Sequence, residues 1–528
     1  MEARKLFAKA AHELSKGAAA GRSGLTEELI SYLLDTDDTA ADIAAILLDI
    51  MNNDVTQCVR RRLTACRLIA LGKPAKKAGQ PPAVRPIAIG EALTKISATV
   101  AIESSMERLF NDDFKGIQFG VGTRGGTDII VHQVRNGFKK GCITVALDAK
   151  NAFNTPLRSC IRDILASSRD KYGHLYALWN LCYAQPSDLH YRSKDGRDVI
   201  LSQRGTRQGD PLAALLFALV LTPILKEAKR RFPELDIFAY LDDITIQGLS
   251  PSRMKECVLF IQKGMEKIGM ELNESKCEWL HDSHPCPFPE WDSGKKFIKI
   301  LGAYIGPDEV VQPILHEEVR KKHTALFERL KLLRSGGALI LMRSAVIPRM
   351  NYICRVHEPS VTDSACKLFD ALTIEGWSSF AQVNPDIVNR ALAVLPTRLG
   401  GCGFTSTELV AKAAYDASFD FVFAEDPLPQ SARTSAILSN LYDSLCKNSD
   451  LALHLEDCKQ KGSAVFLTRI MAGVPMSRET AGACLRLRLC SCHKMFPDEP
   501  ECPGCHKVLQ RFDANQHLRG CAKIAGLN

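Results

Sequence analysis

Two acidic segments of the sequence have the composition needed to bind divalent cations. Asp148 follows the apolar run CITVAL, while Asp242 and Asp243 lie at the centre of IFAYLDDITIQ, whose β-prone flanks predict a hairpin with the acids at its tip. Acids in such places usually serve as cap or turn residues. Magnesium, however, prefers a few carboxylates on rigid strands beside substrate phosphates. Asp148 with Asp242 is the minimal set for two ions ~3.5–4 Å apart, which catalyse in-line phosphoryl transfer.

A second cluster of chemically active residues lies near the C-terminus, where six of the 19 cysteines fall between Cys484 and Cys521. The pattern C-x2-C-x11-H-x3-C is typical of a tetrahedral zinc site. Its residues are Cys502, Cys505, His517 and Cys521. A different ligand set or a second ion remains open, because further candidates are present, namely Cys490, Cys492, His493 and His506. The alternative is a group of reduced structural thiols.

A basic stretch between Val55 and Gly90 contains eight Lys or Arg residues and no acid, in a chain whose net charge is only +8. The pattern indicates either a solvated basic face or a site for a polyanion. The eight residues are Arg60, Arg61, Arg62, Arg67, Lys73, Lys76, Lys77 and Arg85.

The composition argues against a secreted or membrane protein. We find no signal-peptide pattern at the start and no apolar run approaching the roughly 18 residues of a membrane span. Cysteines without a secretory pattern predict a reducing compartment, the nucleus or the cytoplasm, and no membrane partner. The 46% hydrophobic and 24% charged content of these 528 residues is ordinary for a globular protein with several substructures.

The elements around the acids follow from local patterns. Residues 1–70 have apolar residues at helical spacing, whereas VRPIAI, CITVALD and DVILSQ predict short strands. A helix is predicted from Leu212 to Phe232, with Asp210 as its N-cap. Another is predicted from Pro313 to Leu333, ended by the glycine pair Gly336-Gly337.

Six short motifs occur in order between about residues 20 and 310. They are Arg85-Pro86-Ile87, Asp148 with Phe153, RGTRQGDPLAALLF from Arg204 to Phe217, Tyr240-Leu241-Asp242-Asp243, Leu272-Asn273 with Ser275-Lys276, and Ile300-Leu301-Gly302. In this order they resemble the motifs of reverse transcriptases from non-long-terminal-repeat retrotransposons, including the Y-x-D-D box and the L-N-x-x-K motif. Each motif is weak alone, but six in register are specific.

The resemblance implies roles for the acids and their neighbours. Asp148 and Asp242 would hold two magnesium ions, with manganese as a substitute, and Asp243 would be the supporting acid. The carbonyl of Ala149 would be a further ligand. Phe153 would lie beneath the incoming sugar and leave no room for a 2′-hydroxyl, unless it is a plain core aromatic.

The resemblance also implies contacts to the nucleotide. Gln208 and Gly209 would pack against the nucleotide and the template. Arg85 would contact the triphosphate through charge-assisted hydrogen bonds, with Lys73 nearby. Lys276 would stand by the pyrophosphate as a proton donor, the alternative being a solvated lysine.

The implied fold is α+β, a right-hand polymerase. Its expected segments are a helical N-terminal region (1–60), fingers (61–140), a palm with fingers insertions (141–310), a thumb (311–400), a helical connector (401–483) and a zinc-binding tail (484–528). The predicted thumb helix would turn basic residues toward the duplex, namely Arg320, Lys321, Lys322, Arg329 and Lys331.

The implied reaction is RNA-templated addition of deoxynucleoside triphosphates to the 3′-hydroxyl of a DNA or RNA primer. Two alternatives remain open: an RNA-dependent RNA polymerase, against which Phe153 argues, and a catalytically silent RNA-binding protein on the same fold. A zinc motif after the thumb resembles site-specific elements that carry a restriction-like endonuclease. Only seven residues follow Cys521, too few for a nuclease. Three alternatives are open, a truncated copy, a fragment of a longer polyprotein or a domesticated polymerase, and a separate nuclease is one candidate partner.

Overall fold

The structure is a computed structural model, and it describes residues 2–14, 17–72, 84–167, 169–194, 196–281, 286–288, 291, 296–333, 335–460, 463–464, 467 and 476–490. The chain forms two compact units of mixed helix and sheet, in agreement with the predicted α+β class. Unit 1 comprises Met1–Ile130 and Asn136–Leu301, and unit 2 comprises Val131–Arg135 and Gly302–Asn528. Several predicted site residues lie outside the described residues, namely Lys73, Cys492, His493, Cys502, Cys505, His506, His517 and Cys521.

The helices of unit 1 begin where the sequence offers caps. Thr26 and Thr56 each accept a hydrogen bond from the backbone N–H three residues on, which satisfies a donor that the helix itself leaves free. The helices are α1 (Glu2–Glu13), α2 (Glu27–Asp35), α3 (Asp37–Asn52), α4 (Gln57–Thr64), α5 (Ala92–Leu109), α6 (Gly126–Lys139, of which 131–135 belong to unit 2), α7 (Arg158–Ser167), α8 (Arg169–Tyr183), α9 (Pro211–Arg231) and α10 (Pro251–Lys267).

The strands of unit 1 are β1 (Cys66–Gly72), β2 (Val84–Ile89), β3 (Ile143–Leu147), β4 (Ser187–Ser193), β5 (Gly196–Ser202), β6 (Asp236–Tyr240), β7 (Asp243–Gly248), β8 (Glu278–Leu280) and β9 (Ile298–Ile300). The first eight form two four-stranded sheets, of order β2-β1-β4-β5 and β6-β7-β3-β8. The segments VRPIAI, CITVALD and DVILSQ therefore contain strands, as predicted.

The first sheet carries Arg85 on its edge strand. β2 runs antiparallel to β1, with Arg85 opposite Leu71 and Ile89 opposite Arg67. Pro86 is tolerated next to Arg85 because an edge strand need not use every backbone N–H. Arg85 is exposed on this strand.

The second sheet has a buried apolar core and contains the predicted acidic hairpin. β6 and β7 pair antiparallel with Tyr240 opposite Asp243, and β7 pairs with the central strand β3. Val145 and Ile246 are fully buried, and they pack in one core with residues of α9 and α10. Such burial on both flanks fixes the register, because a slip of one residue would expose every buried side chain.

Helix α9 lies in the core of unit 1. As predicted, Asp210 caps it by accepting a hydrogen bond from Leu212 N at 3.0 Å, and Pro211 occupies the first turn. By length and hydropathy α9 is a candidate membrane span, which the sequence reading did not anticipate. The most apolar window of α9 is, however, 67% buried inside the protein, so packing against its neighbours accounts for its composition.

Unit 2 is mainly helical in its described residues. One core contains Phe327 of the first long helix together with Phe369 and Trp377 of the next. The elements are β10 (Ala303–Ile305), α11 (Asp308–Lys331), α12 (Gly337–Leu341), α13 (Arg349–Val356), α14 (Pro359–Ala381), α15 (Ile387–Val394), α16 (Thr407–Phe423), α17 (Gln430–Cys446), α18 (Ser449–Lys459) and α19 (Arg478–Arg488).

Helix α11 corrects two sequence predictions about its ends. It begins at Asp308, not at Pro313, because Asp308 and Glu309 suit the positive end of the helix dipole, and Pro313 lies inside the helix. It ends at Lys331, and the glycine pair lies instead at the start of α12.

The basic residues of α11 are mostly paired with acids. Arg320 and Lys321 share Glu317 at 2.7 and 3.3 Å, and Lys322 pairs with Glu318. Lys331 contacts Glu328 at 2.8 Å. These pairs reduce the positive field that the sequence predicted for this helix.

Candidate active site

The register of two strands brings the predicted acids together. β3 ends with Leu147 opposite Ile244 of β7. In an antiparallel pair the next positions along are Asp148 on one strand and Asp243 on the other. Asp242 immediately precedes Asp243, so all three carboxylates lie at one end of the central strand pair.

The tip of the hairpin has a tight backbone. Tyr240 pairs with Asp243, which leaves Leu241 and Asp242 as a two-residue turn. Leu241 has φ of 55°, in the left-handed region that turns of this kind require and that residues with a side chain disfavour.

Asp148 is held in place by the L-N-x-x-K segment. Its backbone oxygen accepts a hydrogen bond from Asn273 N at 2.7 Å. Its Oδ2 accepts hydrogen bonds from Asn273 Nδ2 at 2.9 Å and from Lys276 Nζ at 2.8 Å. Beside it, Ala149 forms a β-bridge with Leu272. Lys276 therefore neutralises part of the acidic cluster, and Asn273 fixes the carboxylate.

The electrostatics of the site are those of crowded carboxylates. Burial raises the pKa of Asp242, and Asp148 raises it further, while Lys276 and Arg85 act in the opposite direction. Asp243 reaches solvent, yet partial desolvation, Asp242 and Asp148 raise the pKa of its carboxyl to about 6. Because Arg85 acts to lower the pKa of Asp242, Arg85 lies within electrostatic range of the acids. The sequence predicted this arginine to belong to the fingers.

These residues suit a hard divalent cation. All three donors are carboxylate oxygens, which magnesium prefers, and their mutual effect on pKa indicates a site short of positive charge. Among the residues that the structure describes, no group of three or more His, Cys, Asp or Glu side chains could hold a metal ion. A magnesium site at these acids therefore needs substrate oxygens and water to complete its shell, as magnesium sites commonly do.

Phe153 lies five residues after Asp148 and packs against the core of the second sheet. Its ring is half-buried and stacks on Phe217, with ring centroids 4.8 Å apart. Its carbonyl accepts a hydrogen bond from Thr206 N at 2.6 Å. Gly205 is required there, because its φ is 60° and an added Cβ would lie 2.5 Å from the Phe153 oxygen.

Gln208 and Gly209 join the RGTRQGDP segment to β2. Ala88 N donates to the Gln208 oxygen at 2.8 Å. Gly209 has φ of 103°, and a Cβ there would lie 2.6 Å from the Ala88 oxygen. The contact fixes this segment against the strand that carries Arg85, a function that the sequence did not predict for either residue.

A buried ion pair within the same segment was also missed by sequence reasoning. Arg207 donates to Asp210 Oδ2 at 2.9 Å and to the Thr64 oxygen and Ser187 Oγ, each at 3.0 Å. Tyr183 OH donates to the same Asp210 oxygen at 2.6 Å, and its burial raises its pKa well above the ordinary value. The network ties the RGTRQGDP segment to α4, α8 and β4.

The residues brought to one place are thus Asp148, Asp242, Asp243, Lys276 and Arg85. Asn273 was part of a predicted motif but had no assigned role, and its spacing from Lys276 was the available signal. Gln118, which contacts the turn at Leu241, was missed altogether, and nothing in its local sequence pattern indicates that contact.

A family model for "Reverse transcriptase (RNA-dependent DNA polymerase)" matches residues 75–305. This range contains every catalytic residue predicted from the sequence and excludes the helices of unit 2.

Two curated proteins are similar to the chain. The retrotransposable element SLACS 132 kDa protein of Trypanosoma brucei gambiense is 29% identical over 422 residues, which are 79% of this chain and 34% of that protein. The retrovirus-related Pol polyprotein from type-1 retrotransposable element R2 of Nasonia vitripennis is 23% identical over 245 residues, 42% of this chain and 22% of that protein. The chain therefore spans about a third of the first relative and a fifth of the second.

Among solved structures, apo telomerase from Candida tropicalis overlaps 80% of this chain and 73% of its own, with a TM-score of 0.42 and 9% identity. Telomerase from Candida albicans with a TWJ fragment of telomeric RNA has a TM-score of 0.36 and 10% identity, covering 73% of this chain and 65% of its own. These scores describe a partial likeness.

Proposed function

We propose, on the premise that residues 75–305 are a reverse transcriptase domain of the non-long-terminal-repeat retrotransposon type, that this chain is an RNA-directed DNA polymerase. It adds deoxynucleotides to the 3′-hydroxyl of a primer on an RNA template and releases pyrophosphate. The observation that carries the proposal is the register of β3 and β7, which sets Asp148 opposite Asp243 beside Asp242.

The three carboxylates form the metal site of this reaction. Asp148 and Asp242 hold magnesium, the Ala149 carbonyl adds a ligand, and Asp243 is the supporting acid. When bound, magnesium makes the primer hydroxyl nucleophilic and neutralises the leaving pyrophosphate. The raised pKa values of Asp242 and Asp243 support this assignment, because crowded carboxylates gain most from a divalent cation.

The remaining residues bind and orient the nucleotide. Arg85 binds the triphosphate, with Lys73 as a further contact, and the exposure of Arg85 on an edge strand leaves its guanidinium accessible. Gln208 and Gly209 line the nucleotide and template side of the segment that packs on β2. Lys276 donates a proton to the departing pyrophosphate, which requires it to leave Asp148 when substrate binds.

Phe153 selects deoxynucleotides. The ring of Phe153 stacks on Phe217, and the carbonyl of Phe153 accepts a hydrogen bond from Thr206 N. The ring therefore cannot easily move away from a 2′-hydroxyl. A rigid ring beneath the sugar therefore excludes ribonucleotides by steric contact.

We also propose the arrangement and setting of the whole chain. The segments serve as N-terminal helical region, fingers, palm, thumb and connector, and the tail from 484 to 528 binds zinc. An RNA template and a DNA or RNA primer are the partners. The compartment is the nucleus or cytoplasm. All described cysteines have free thiols, which supports a reducing compartment.

Primer extension by the purified chain on an RNA template tests the activity. We expect incorporation of deoxynucleotides that depends on magnesium and exceeds incorporation of ribonucleotides. Faster ribonucleotide incorporation would favour an RNA-dependent RNA polymerase. Template binding without incorporation, with magnesium or manganese, would favour a silent RNA-binding protein.

A further inference from the structure

The turn at the hairpin tip needs support from outside the hairpin. Leu241 has φ of 55°, a conformation that glycine or asparagine adopts readily and leucine does not. A backbone of this kind persists when surrounding contacts determine it. The two acids of the tip follow directly after Leu241, so whatever holds Leu241 also sets the position of the acids.

The amide of Gln118 holds both backbone polar groups of Leu241. Gln118 Oε1 accepts from Leu241 N at 2.8 Å, and Gln118 Nε2 donates to the Leu241 oxygen at 3.4 Å. The same Oε1 accepts from Gly120 N at 3.0 Å. The Gln118 side chain is only 1% exposed, so water does not compete for these bonds.

The backbone around Gln118 is itself fixed to the hairpin. Phe119 N donates to the Ala239 oxygen at 2.7 Å, and Ala239 N donates to the Ile117 oxygen at 2.8 Å. Residues 117–119 thus pair with β6 through one parallel β-bridge, Gln118 with Ala239. Gln118 therefore reaches the turn from a rigid position.

The packing of Gly120 is an independent sign of the same close approach. A Cβ at Gly120 would lie 2.7 Å from Leu241 N and 2.9 Å from Leu241 Cγ. The loop and the turn therefore fit against each other with no room for one further carbon atom.

We propose that Gln118 is a positioning residue that clamps the turn at Leu241 and thereby sets Asp242 and Asp243 against Asp148. The inference rests on the proposed function, and it assigns to the buried segment 117–120 a part in assembling the metal site. Gln118 does not contact substrate; it acts through the backbone of Leu241.

The first test is Gln118→Met, which keeps the volume of the side chain and removes its hydrogen bonds. We expect kcat of primer extension to fall at least tenfold, while KM for the nucleotide stays within about twofold. In the absence of nucleotide and primer, Mn²⁺ binding measured by electron paramagnetic resonance should weaken at least fivefold. Unchanged kcat and unchanged Mn²⁺ binding in the folded variant would overturn the proposal.

Gln247→Met is the matched control. Gln247 is also a buried glutamine of this sheet, 2% exposed, and donates to Thr144 Oγ1 at 2.8 Å, but it lies at the far end of β7. We expect it to lower thermal stability as Gln118→Met does and to leave kcat and Mn²⁺ binding within about twofold. Equal losses of activity in both variants would show that Gln118 contributes only to general stability, and would refute its role in positioning the acids.

A rescue experiment separates positioning from core packing. In the Leu241→Gly variant, glycine adopts the positive φ of the turn without support from Gln118. Adding Gln118→Met to this variant should therefore lower log kcat by less than half of the amount by which Gln118→Met lowers it in the wild type. A full, additive loss would contradict the proposal. If Gln118→Met does not fold, Gly120→Ala is the second variant, with the same expected loss of kcat and Mn²⁺ binding.

The two proposals fail differently. A wild-type chain that binds Mn²⁺ but extends no primer would refute the polymerase activity. The comparison of Mn²⁺ binding between the wild type and the Gln118 variant would still decide the role of Gln118. An active wild-type chain with unaffected variants would refute the role of Gln118 alone.

Discussion

Lys276 Nζ lies 2.8 Å from Asp148 Oδ2, so a lysine of one motif is paired with the proposed catalytic acid of another. Both side chains are partly exposed, and a pair of this kind contributes only ~0–1 kcal/mol to stability. Its importance is therefore electrostatic: together with Arg85, Lys276 partly neutralises the acids when no metal is bound.

Replacing Lys276 by methionine should separate metal binding from catalysis. We expect Mn²⁺ to bind severalfold more tightly, because a competing cation has been removed from Asp148. The kcat of primer extension should fall by about 10²-fold or more, the usual effect of losing a general acid. Lys150→Met is the control, since Lys150 is an exposed lysine beside the site that pairs with Glu271. Weaker Mn²⁺ binding in Lys276→Met would contradict this account.

Removing either catalytic carboxylate should abolish primer extension. Asp148→Asn and Asp242→Asn keep the shape of the side chains but lose the charge that holds magnesium. We expect extension to fall to background while RNA binding, measured by fluorescence anisotropy, changes by less than about twofold. Asp236→Asn, at the other end of the hairpin, should remain active. Substantial extension by either catalytic variant would refute the metal assignment.

The stability of the metal-free protein should depend on Asp243. In the folded protein the pKa of Asp243 is raised from 3.8 to about 6, so protonated Asp243 contributes stability that is complete below pH 3.8 and is lost as the pH rises through about 6. We expect thermal unfolding with a chelator to show this loss in the wild type and less of it in Asp243→Asn.

Magnesium should reverse that trend. A bound cation replaces the proton, so it should raise the unfolding temperature more at pH ~7.5 than at pH ~5. The measurement is differential scanning fluorimetry with and without magnesium at both pH values. If magnesium raised the unfolding temperature equally at both pH values, protonation of the acids would not be the reaction that competes with magnesium binding.

Shortening Phe153 should relax the choice of sugar. We expect Phe153→Val to lower the ratio of kcat/KM for deoxy- over ribonucleotides by about 10- to 200-fold or more, since 10- to 200-fold is the range for a single methylene group in a hydrophobic pocket. Phe260→Val, which shortens a half-buried aromatic of the same core outside the site, should leave the ratio unchanged. An unchanged ratio in Phe153→Val would mean that Phe153 is a core residue only.

The tail should bind zinc independently of the polymerase site. Elemental analysis of the purified chain should find about one zinc ion per molecule, and Cys502→Ser or His517→Ala should lose it. Cys58→Ser, at an exposed cysteine, is the control and should retain the zinc. A zinc-free wild type that folds normally would show that these cysteines are structural thiols.

The sequence alone predicted the acids, the strands that carry them and the helix that follows Asp210, because each depends on patterns within about ten residues. β3, β7 and the capped α9 have the expected positions. The prediction failed at the ends of α11, where Asp308 and Glu309 begin the helix ahead of Pro313. Local composition allowed either start, and only the whole chain decides between them.

Only the tertiary structure decided which residues hold the site together. Gln118 and Leu241 are 123 residues apart, and Arg207 and Thr64 are 143 apart, yet each pair is joined by a hydrogen bond. No periodicity or motif encodes such contacts, since they arise when separate elements pack and buried polar groups must find partners. The sequence therefore determined the candidate reacting groups, and the packing of distant segments determined how those groups are held.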